Sequence, residues 1–197
     1  MGKNNRCGQA AILTDDDYAK ILQQLKNPTH QIALQIARYT VERVGAITKL
    51  QISDVYADVS QGEVLPEITF QANTRKAAPG GKRETRQVPV HPTLKELLQL
   101  YRPPTNSRWL FPSPRYRDQP VTVRAMDKWL KKALARANLS HKGASWHSPR
   151  RTGITTLSNA GKSVKVIQAV TGHKSLAALM RYIEVTPQAV ENAIAVL

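Results

Sequence analysis

Apolar side chains recur at helical spacing along most of this chain. In the segment after "NPTH" they repeat every three or four residues and then resume, at Ile32, Ile36, Tyr39 and Ile47. Arg43 falls on the same stripe unless the helix breaks near Thr40. Caps and the same periodicity predict further helices over residues 14–25, 92–101, 163–170, 175–183 and 187–197, and others that begin at Thr122 and after Pro149.

Two short segments have the character of strands. Residues 68–71 and 86–90 are apolar and β-branched enough to pair, and the "APGG" between them predicts a turn. A small antiparallel sheet among helices with short links indicates a mostly helical α+β fold. The 197 residues suit one domain. We expect it at residues 14–197, after a flexible leader at residues 1–13.

The balance of charge indicates a polyanionic partner. Lysine and arginine number 29 against 14 acids, which gives a formal net charge of +15 and an isoelectric point near 10.2. Such an excess in a small domain favours nucleic acid, and a solvated basic surface of the ribosomal type is the alternative. The charges concentrate on the hairpin and on one helix: Arg75, Lys76, Lys82, Arg83 and Arg86, then Lys128, Lys131, Lys132 and Arg136.

Membrane and secreted classes do not fit the chain. No apolar run approaches the roughly 20 residues that span a bilayer, and the N-terminus lacks the apolar core of a signal peptide. The single Cys7 excludes an internal disulfide and a multi-cysteine zinc site. We therefore expect a cytoplasmic protein with no membrane association.

Two arginines stand at the unfavourable end of a predicted helix. In "SWHSPRRTGITTLSNAG", Pro149 opens the helix, so Arg150 and Arg151 fall in its first turn. The helix dipole already carries positive charge at that end. An anion bound there would explain both arginines, and this is the hypothesis we adopt.

Other polar residues accompany these arginines at separated places in the chain. The order is His147-x-x-Arg150, then Gly172-His173, then Arg181-Tyr182, with Arg43 far upstream. Each of them alone is typical of an ordinary structural side chain. Two short predicted helices separate Arg150 from Tyr182, a length that lets the chain fold back on itself.

The joint pattern resembles the catalytic domain of the tyrosine recombinases, also called phage-type integrases. His173 follows Arg150 by 23 residues and Tyr182 follows His173 by 9, as in the family's C-terminal signature. The stretches "NAGKSVKVIQAVTGHKSLAALMRYIEV" and "YTVERVGAITKLQISDV" are also similar to the family. The hairpin resembles the one that bears the catalytic lysine, and the likeness covers roughly residues 14–190.

This chain departs from the family pattern at several positions. Val41-Glu42 replaces the Gly-Leu before the first arginine, Ala46 stands where a glutamate is usual, and Arg151 replaces a histidine. We expect no N-terminal DNA-clamping domain of the usual kind, as in the small fimbrial-switch invertases that the chain resembles in size.

The resemblance implies a catalytic set of Arg43, Lys76, His147, Arg150, His173 and Tyr182. In this set the tyrosine attacks a phosphate that the two arginines hold, and the product is a 3′-phosphotyrosine link. The histidines hydrogen-bond the phosphate or take the tyrosine proton, and the lysine protonates the leaving 5′-oxygen. Lys76 is favoured as that lysine by its distance from "VPV", with Lys82 as the alternative. No cofactor or metal is implied.

The implied partner is double-stranded DNA. Its expected contacts are Arg75, Lys82, Arg83, Arg86, Lys128, Lys132 and Arg151. The resemblance implies site-specific recombination in a bacterial nucleoid, by integration, excision or inversion, with four protomers on DNA and a monomer or weak dimer without it. Two alternatives are a type IB topoisomerase, which shares this active site, and a DNA-binding protein with a relic site.

Overall fold

A computed structural model describes residues 10–75, 81, 83–104, 106–173, 175–183 and 187–196. The candidate general acids Lys76 and Lys82 lie outside the described residues, as does Cys7. No helix among the described residues is both long enough and apolar enough to cross a membrane.

The described residues are mostly helical. The helices are α1 (Asp15–Gln24), α2 (Pro28–Thr40), α3 (Val44–Ile47), α4 (Pro92–Leu100), α5 (Val123–Arg136), α6 (Ser148–Asn159), α7 (Val164–Thr171), α8 (Leu176–Met180) and α9 (Pro187–Ile194). Side-chain caps start several of them as the sequence predicts, since the hydroxyls of Thr14, Thr122, Ser163 and Ser175 each accept a backbone N–H of the first turn.

In the described residues the strands form two antiparallel hairpins instead of the one expected. The predicted pair is β3 (Glu67–Phe70) with β4 (Arg86–Pro89), in which Ile68 lies opposite Val88. A smaller hairpin, β1 (Tyr56–Asp58) with β2 (Glu63–Val64), was not predicted, because strands of three and two residues are too short to show alternation. The α+β class is confirmed.

Helix α2 ends just before the first candidate arginine. It begins at Pro28, ahead of the predicted start, because the Asn27 side chain caps it, and it ends at Thr40. Val41 then adopts a left-handed conformation with φ 55°, which is rare for a β-branched residue. Arg43 consequently leaves the helical stripe and becomes the residue that precedes α3.

Two groups of buried apolar residues hold these elements together. The larger includes the inner faces of α1, α2, α4 and α5 and the β3–β4 hairpin, with Ile36, Ile68 and Leu130 among its members. The smaller joins Val41 to Ile154, Ile167 and Leu179, and Tyr182 packs against it. This small core fixes α6, α7 and α8 around the break that follows α2.

The end of the predicted leader belongs to the folded domain. Ala11 and Leu13 are buried, and the Leu13 N–H donates to the Thr152 hydroxyl at 2.9 Å. The Arg151 Nη1 donates to the Ala10 carbonyl oxygen at 3.1 Å. Residues 10–13 therefore pack on α6 instead of forming flexible leader, because they carry apolar side chains that the fold can bury.

Candidate active site

Arg150 lies in the first turn of α6 and turns into the protein. Its side chain is 2% exposed. Nη1 donates to the Val41 carbonyl at 2.5 Å and Nη2 to the Thr171 carbonyl at 2.9 Å, so one guanidinium ties the break after α2 to the end of α7. Its Nε is buried and has no hydrogen-bond partner among the described residues. A buried N–H donor without a partner is costly, so Nε marks a place for an acceptor.

His173 is in direct contact with Arg150. Gly172, with φ 64°, ends α7 in the left-handed conformation that glycine favours and turns the chain back toward α6. The His173 Nε2 lies 3.1 Å from the Arg150 Nη2. Its Nδ1 lies 2.7 Å from the Thr171 hydroxyl, which in turn donates to the Ile167 carbonyl at 2.7 Å.

These contacts assign the ring proton of His173. Arg150 can only donate, and its Nη2 lies 3.1 Å from Nε2 and 3.3 Å from Nδ1, so the nearer Nε2 is the acceptor. The Thr171 hydroxyl spends its own proton on the Ile167 carbonyl, so Nδ1 carries the ring proton and donates to that hydroxyl. Burial lowers the pKa of His173 to about 4, and the positive charges of Arg150 and Arg43 act in the same direction. The imidazole is therefore neutral at neutral pH.

Tyr182 stands beside this pair. It follows α8, is half-buried against the small core, and its ring centroid lies 5.7 Å from that of His173. Burial lowers the pKa of Arg150 to about 10; Arg43 adds to the shift, while Tyr182 acts in the opposite direction. Arg43 and Tyr182 are therefore both close enough to act electrostatically on the Arg150 guanidinium.

Arg43 is brought to the same place by the break in the chain. It is half-buried at the start of α3, and its charge contributes to lowering the pKa of both Arg150 and His173. The structure thus brings together four of the predicted catalytic residues, Arg43, Arg150, His173 and Tyr182, from distant parts of the sequence.

His147 directly precedes the helix that carries Arg150. It makes no side-chain cap to the helix, and its side chain is exposed. Its backbone N–H donates to the Ser145 hydroxyl. An exposed imidazole at the start of the helix that carries Arg150 is accessible to a ligand bound there.

Two arginines expected on the hairpin surface point inward instead. Arg86 is 8% exposed and donates from Nη1 to a Glu42 carboxylate oxygen at 2.7 Å. Its Nη2 donates to the Thr40 and Val170 carbonyl oxygens. The Arg75 Nε lies 3.3 Å from the same Glu42 oxygen, and its Nη1 donates to the Glu84 carbonyl at 2.8 Å. The predicted DNA contacts at Arg75 and Arg86 are therefore wrong for the free protein, because the buried Glu42 carboxylate draws both side chains inward.

Glu42 is the residue that sequence reasoning missed. It is 1% exposed and also accepts the Arg43 backbone N–H at 2.8 Å. Burial alone would raise the pKa of Glu42, but Arg86, the Arg43 N–H and Arg75 together hold it below its usual value. The available signal was a carboxylate next to the first arginine, at a position where the family carries leucine.

The other expected DNA contacts divide between surface and interior. Arg83, Lys128 and Lys132 are exposed, as the prediction requires. Arg151 is 7% exposed and donates to the Ala10 carbonyl, so it does not lie on the surface as expected. In the described part of the chain, no three histidine, cysteine, aspartate or glutamate residues form a group that could hold a metal ion.

Comparison with known proteins gives a consistent answer. The phage integrase family matches residues 11–189. A tyrosine recombinase from Thermosipho africanus (strain TCF52B) is 25% identical over 184 residues, which are 90% of this chain and 58% of that protein. The chain spans between 38% and 58% of the length of the curated relatives it matches.

Solved structures share the fold at low sequence identity. The XerA recombinase has a TM-score of 0.69 at 19% identity, over 95% of this chain and 65% of that one. The Tn1549 transposon integrase in complex with a circular intermediate DNA has a TM-score of 0.73 at 17% identity, over 98% of this chain and 68% of that one. The match over residues 11–189, on a fold that gathers Arg43, Arg150, His173 and Tyr182 at one site, shows that this chain belongs to the phage integrase family.

Proposed function

We propose that this chain is a site-specific recombinase that cuts and rejoins double-stranded DNA, with Tyr182 as the nucleophile. The observation that carries the proposal is the contact of Arg150 with His173, whose ring lies 5.7 Å from that of Tyr182. The charge of Arg43 reaches the same cluster. Cations gathered beside a phenol suit a reaction on an anionic phosphodiester.

The arginines supply electrostatic stabilisation. Attack on a phosphodiester builds negative charge on the non-bridging oxygens, and a guanidinium matches such oxygens while keeping its own charge. Two hydrogens of Arg150 are already bound to carbonyls, whereas its Nε–H has no hydrogen-bond partner among the described residues. We assign that Nε–H to the phosphate, with Arg43 as the second guanidinium.

The histidines and a lysine move protons in this scheme. A phenol with a pKa near 10 is a weak nucleophile at neutral pH and needs a base. Exposed His147 takes the proton from Tyr182, directly or through water. Bound phosphate brings negative charge next to His173 and so raises its pKa. Once Nε2 is protonated it gives up its contact with Arg150, which can only donate, and it donates instead to a non-bridging oxygen. Lys76 then protonates the leaving 5′-oxygen.

The covalent steps conserve phosphodiester bonds. A bond forms between the Tyr182 phenol oxygen and phosphorus, and the bond from phosphorus to the 5′-oxygen breaks. The products are a 3′-phosphotyrosine and a free 5′-hydroxyl. A 5′-hydroxyl from a second duplex reverses the step on the new strand, so the exchange needs no external energy source.

Solved relatives support the choice of DNA as partner. Among the structures of similar fold are XerH bound to its difH substrate and a lambda integrase dimer bound to a COC′ core site. For this chain we propose double-stranded DNA in the bacterial cytoplasm and a homotetramer on two duplexes, because exchange requires four strand cuts. Without DNA we expect a monomer or weak dimer.

A covalent adduct tests the function. Duplexes tiled across the DNA that flanks the gene, each with a nick that lets the cut strand diffuse away, are incubated with the protein. We expect a protein–DNA adduct in denaturing gels, and the peptide that carries Tyr182 should hold the nucleotide. Tyr182→Phe should bind the same duplex with unchanged affinity and form no adduct, whereas Tyr116→Phe, at an exposed tyrosine, should form it normally.

Two outcomes would change the assignment. An adduct that persists in Tyr182→Phe would remove this residue from the chemistry. Normal binding of duplex DNA without an adduct on any tested duplex would indicate a DNA-binding protein with a relic active site. Relaxation of supercoiled plasmid without exchange between two duplexes would place the chain with the type IB topoisomerases.

A further inference from the structure

The buried carboxylate of Glu42 has no part in the scheme above, yet it lies at the centre of the arginine cluster. Its Oε2 accepts from Arg86 at 2.7 Å and lies 3.3 Å from the Arg75 Nε. Its Oε1 accepts the Arg43 backbone N–H at 2.8 Å. At 1% exposure, Glu42 is reached by protein groups and not by bulk water.

Arg86 passes the effect of Glu42 to the phosphate site. One of its nitrogens is bound to Glu42, and the other donates to the Thr40 and Val170 carbonyl oxygens. Those two carbonyls directly precede the ones that hold Arg150, at Val41 and Thr171. A displaced Arg86 would therefore free the two segments on which the Arg150 guanidinium is mounted.

Charge balance gives a second reason for a carboxylate here. The positive charges of Arg43, Arg75 and Arg150 lie close to Arg86, and like charges in a buried place repel strongly. Burial lowers the pKa of Arg86, the charge of Glu42 raises it, and Arg75 and Arg43 lower it further. Glu42 thus offsets the repulsion before any phosphate is bound.

We propose that Glu42 is a positioning residue for DNA cleavage, which acts by holding Arg86 and Arg75 so that Arg43 and Arg150 stay aligned on the phosphate. This role rests on the proposed recombinase function. Glu42 touches no substrate; its position next to Arg43 gives the arginine cluster its buried counter-charge.

Single-turnover kinetics test this role. The rate of adduct formation at saturating nicked duplex is compared for the wild type, Glu42→Gln and Glu63→Gln, the last being the same change at an exposed position in β2. We expect Glu42→Gln to be about 100-fold slower, the effect of a misplacement of about 1 Å in a reacting site. DNA affinity should stay within about threefold, and Glu63→Gln should match the wild type.

A paired substitution keeps the test decisive if Glu42→Gln does not fold. Replacing both partners by apolar residues, Glu42→Met with Arg86→Met, is tolerated better than leaving one buried charge alone. A folded double variant should still cleave slowly, because it lacks the hydrogen bonds from Arg86 to the carbonyls of residues 40 and 170. Wild-type rates in this variant, or in a folded Glu42→Gln, would overturn the proposal, as would a loss confined to DNA binding.

Hydrogen exchange on the free protein separates this inference from the function on which it rests. In Glu42→Gln, peptides that cover residues 40–43 and 170–173 should exchange faster than in the wild type, with α1 unchanged. Unchanged exchange at residues 170–173 would overturn the positioning route through Arg86. A wild-type chain that forms no adduct at any site would instead overturn the proposed function itself.

Discussion

Arg86 and Arg150 donate to carbonyls of consecutive residues on the same two segments. Arg86 binds the carbonyls of residues 40 and 170, and Arg150 binds those of residues 41 and 171. Arg86 comes from β4 and Arg150 from α6, so four separated pieces of chain meet at these bonds. Substitutions at either arginine should therefore disturb the whole site and not one contact alone.

The role of Arg43 and Arg150 in binding the phosphate can be tested by replacing one of the two guanidinium groups. Arg150→Lys keeps the charge but has no planar fork with which to hold the two carbonyls and a phosphate together. We expect adduct formation at saturating DNA to fall about 10²–10³-fold, as for loss of one transition-state donor. Arg136→Lys, an exposed arginine of α5, should behave as the wild type. Equal single-turnover rates for the wild type, Arg150→Lys and Arg136→Lys would contradict phosphate binding by the Arg150 guanidinium.

Histidine protonation should set the acid limit of stability. In the unfolded chain His173 titrates near 6.5, whereas burial and the nearby arginines lower its pKa to about 4 in the folded protein. The unfolded state then binds the proton first, so the free energy of unfolding falls as pH drops from about 6.5 to about 4, by about 3 kcal/mol.

Urea unfolding at a series of pH values measures this effect. Compared with the wild type, His173→Gln should show a flatter dependence of the free energy of unfolding on pH across that window. A wild-type and His173→Gln pair with the same slope would refute the assignment to this ring.

DNA binding should depend steeply on salt. If the basic surface neutralises roughly 6–10 phosphates, affinity should fall about 10³–10⁵-fold between roughly 50 and 200 mM salt. Lys128→Gln and Lys132→Gln, at exposed positions of α5, should each reduce the slope of that dependence by about 1. Lys20→Gln is the control, because Lys20 already pairs with Asp16 at 2.6 Å. Fluorescence anisotropy with a labelled duplex measures the slopes, and a salt-insensitive affinity would rule out electrostatic binding.

The last helix should join protomers to one another. Two residues of its predicted apolar stripe, Val190 and Ile194, are 50% and 64% exposed, and Leu197 lies outside the described residues. So short a helix is marginal without a docking surface. Deletion of residues 187–197 should leave binding to a single duplex nearly intact and abolish tetramer formation and strand exchange. Light scattering of the DNA complex and a recombination assay measure the two, and normal exchange by the truncated chain would refute the role.

A single methyl group should disturb the break after α2. A Cβ at Gly153 would lie 2.8 Å from a methyl carbon of Val41, whose branched side chain has little freedom to move. We expect Gly153→Ala to lower the free energy of unfolding by about 1–2 kcal/mol, since overpacking outweighs the gain in helix propensity. Gly45→Ala has open space around its Cβ and should not destabilise. Thermal unfolding of both variants gives the comparison.

Much of the fold could be predicted from the sequence because its signals are local. Thr122 caps α5, Ser163 caps α7 and Gly172 ends it, each through contacts within a few residues. The spacing between Arg150, His173 and Tyr182 was equally readable, since α7 and α8 return the chain over a short distance.

The unpredicted features depend on contacts between distant residues. Arg75 and Arg86 look like surface cations in the sequence. Arg86 turns inward because it binds Glu42, 44 residues before it, and the Thr40 and Val170 carbonyls. Arg151 likewise looks exposed in the sequence, but it donates to the carbonyl of Ala10, which is 141 residues away along the chain. A charged side chain turns into the protein when a buried polar group can bind it. Helical or strand periodicity gives no information about where such a group lies.

The left-handed conformation of Val41 makes the substitutions accepted at positions 41 and 153 depend on each other. Val41 occupies a backbone conformation that suits glycine, and its methyl groups fill the space against Gly153 that a second side chain would need. In a lineage that derives from this chain, Val41→Gly therefore opens the way for a side chain at position 153, whereas the reverse order passes through a crowded intermediate. The two sites should change as a pair among close relatives, with position 41 changing first.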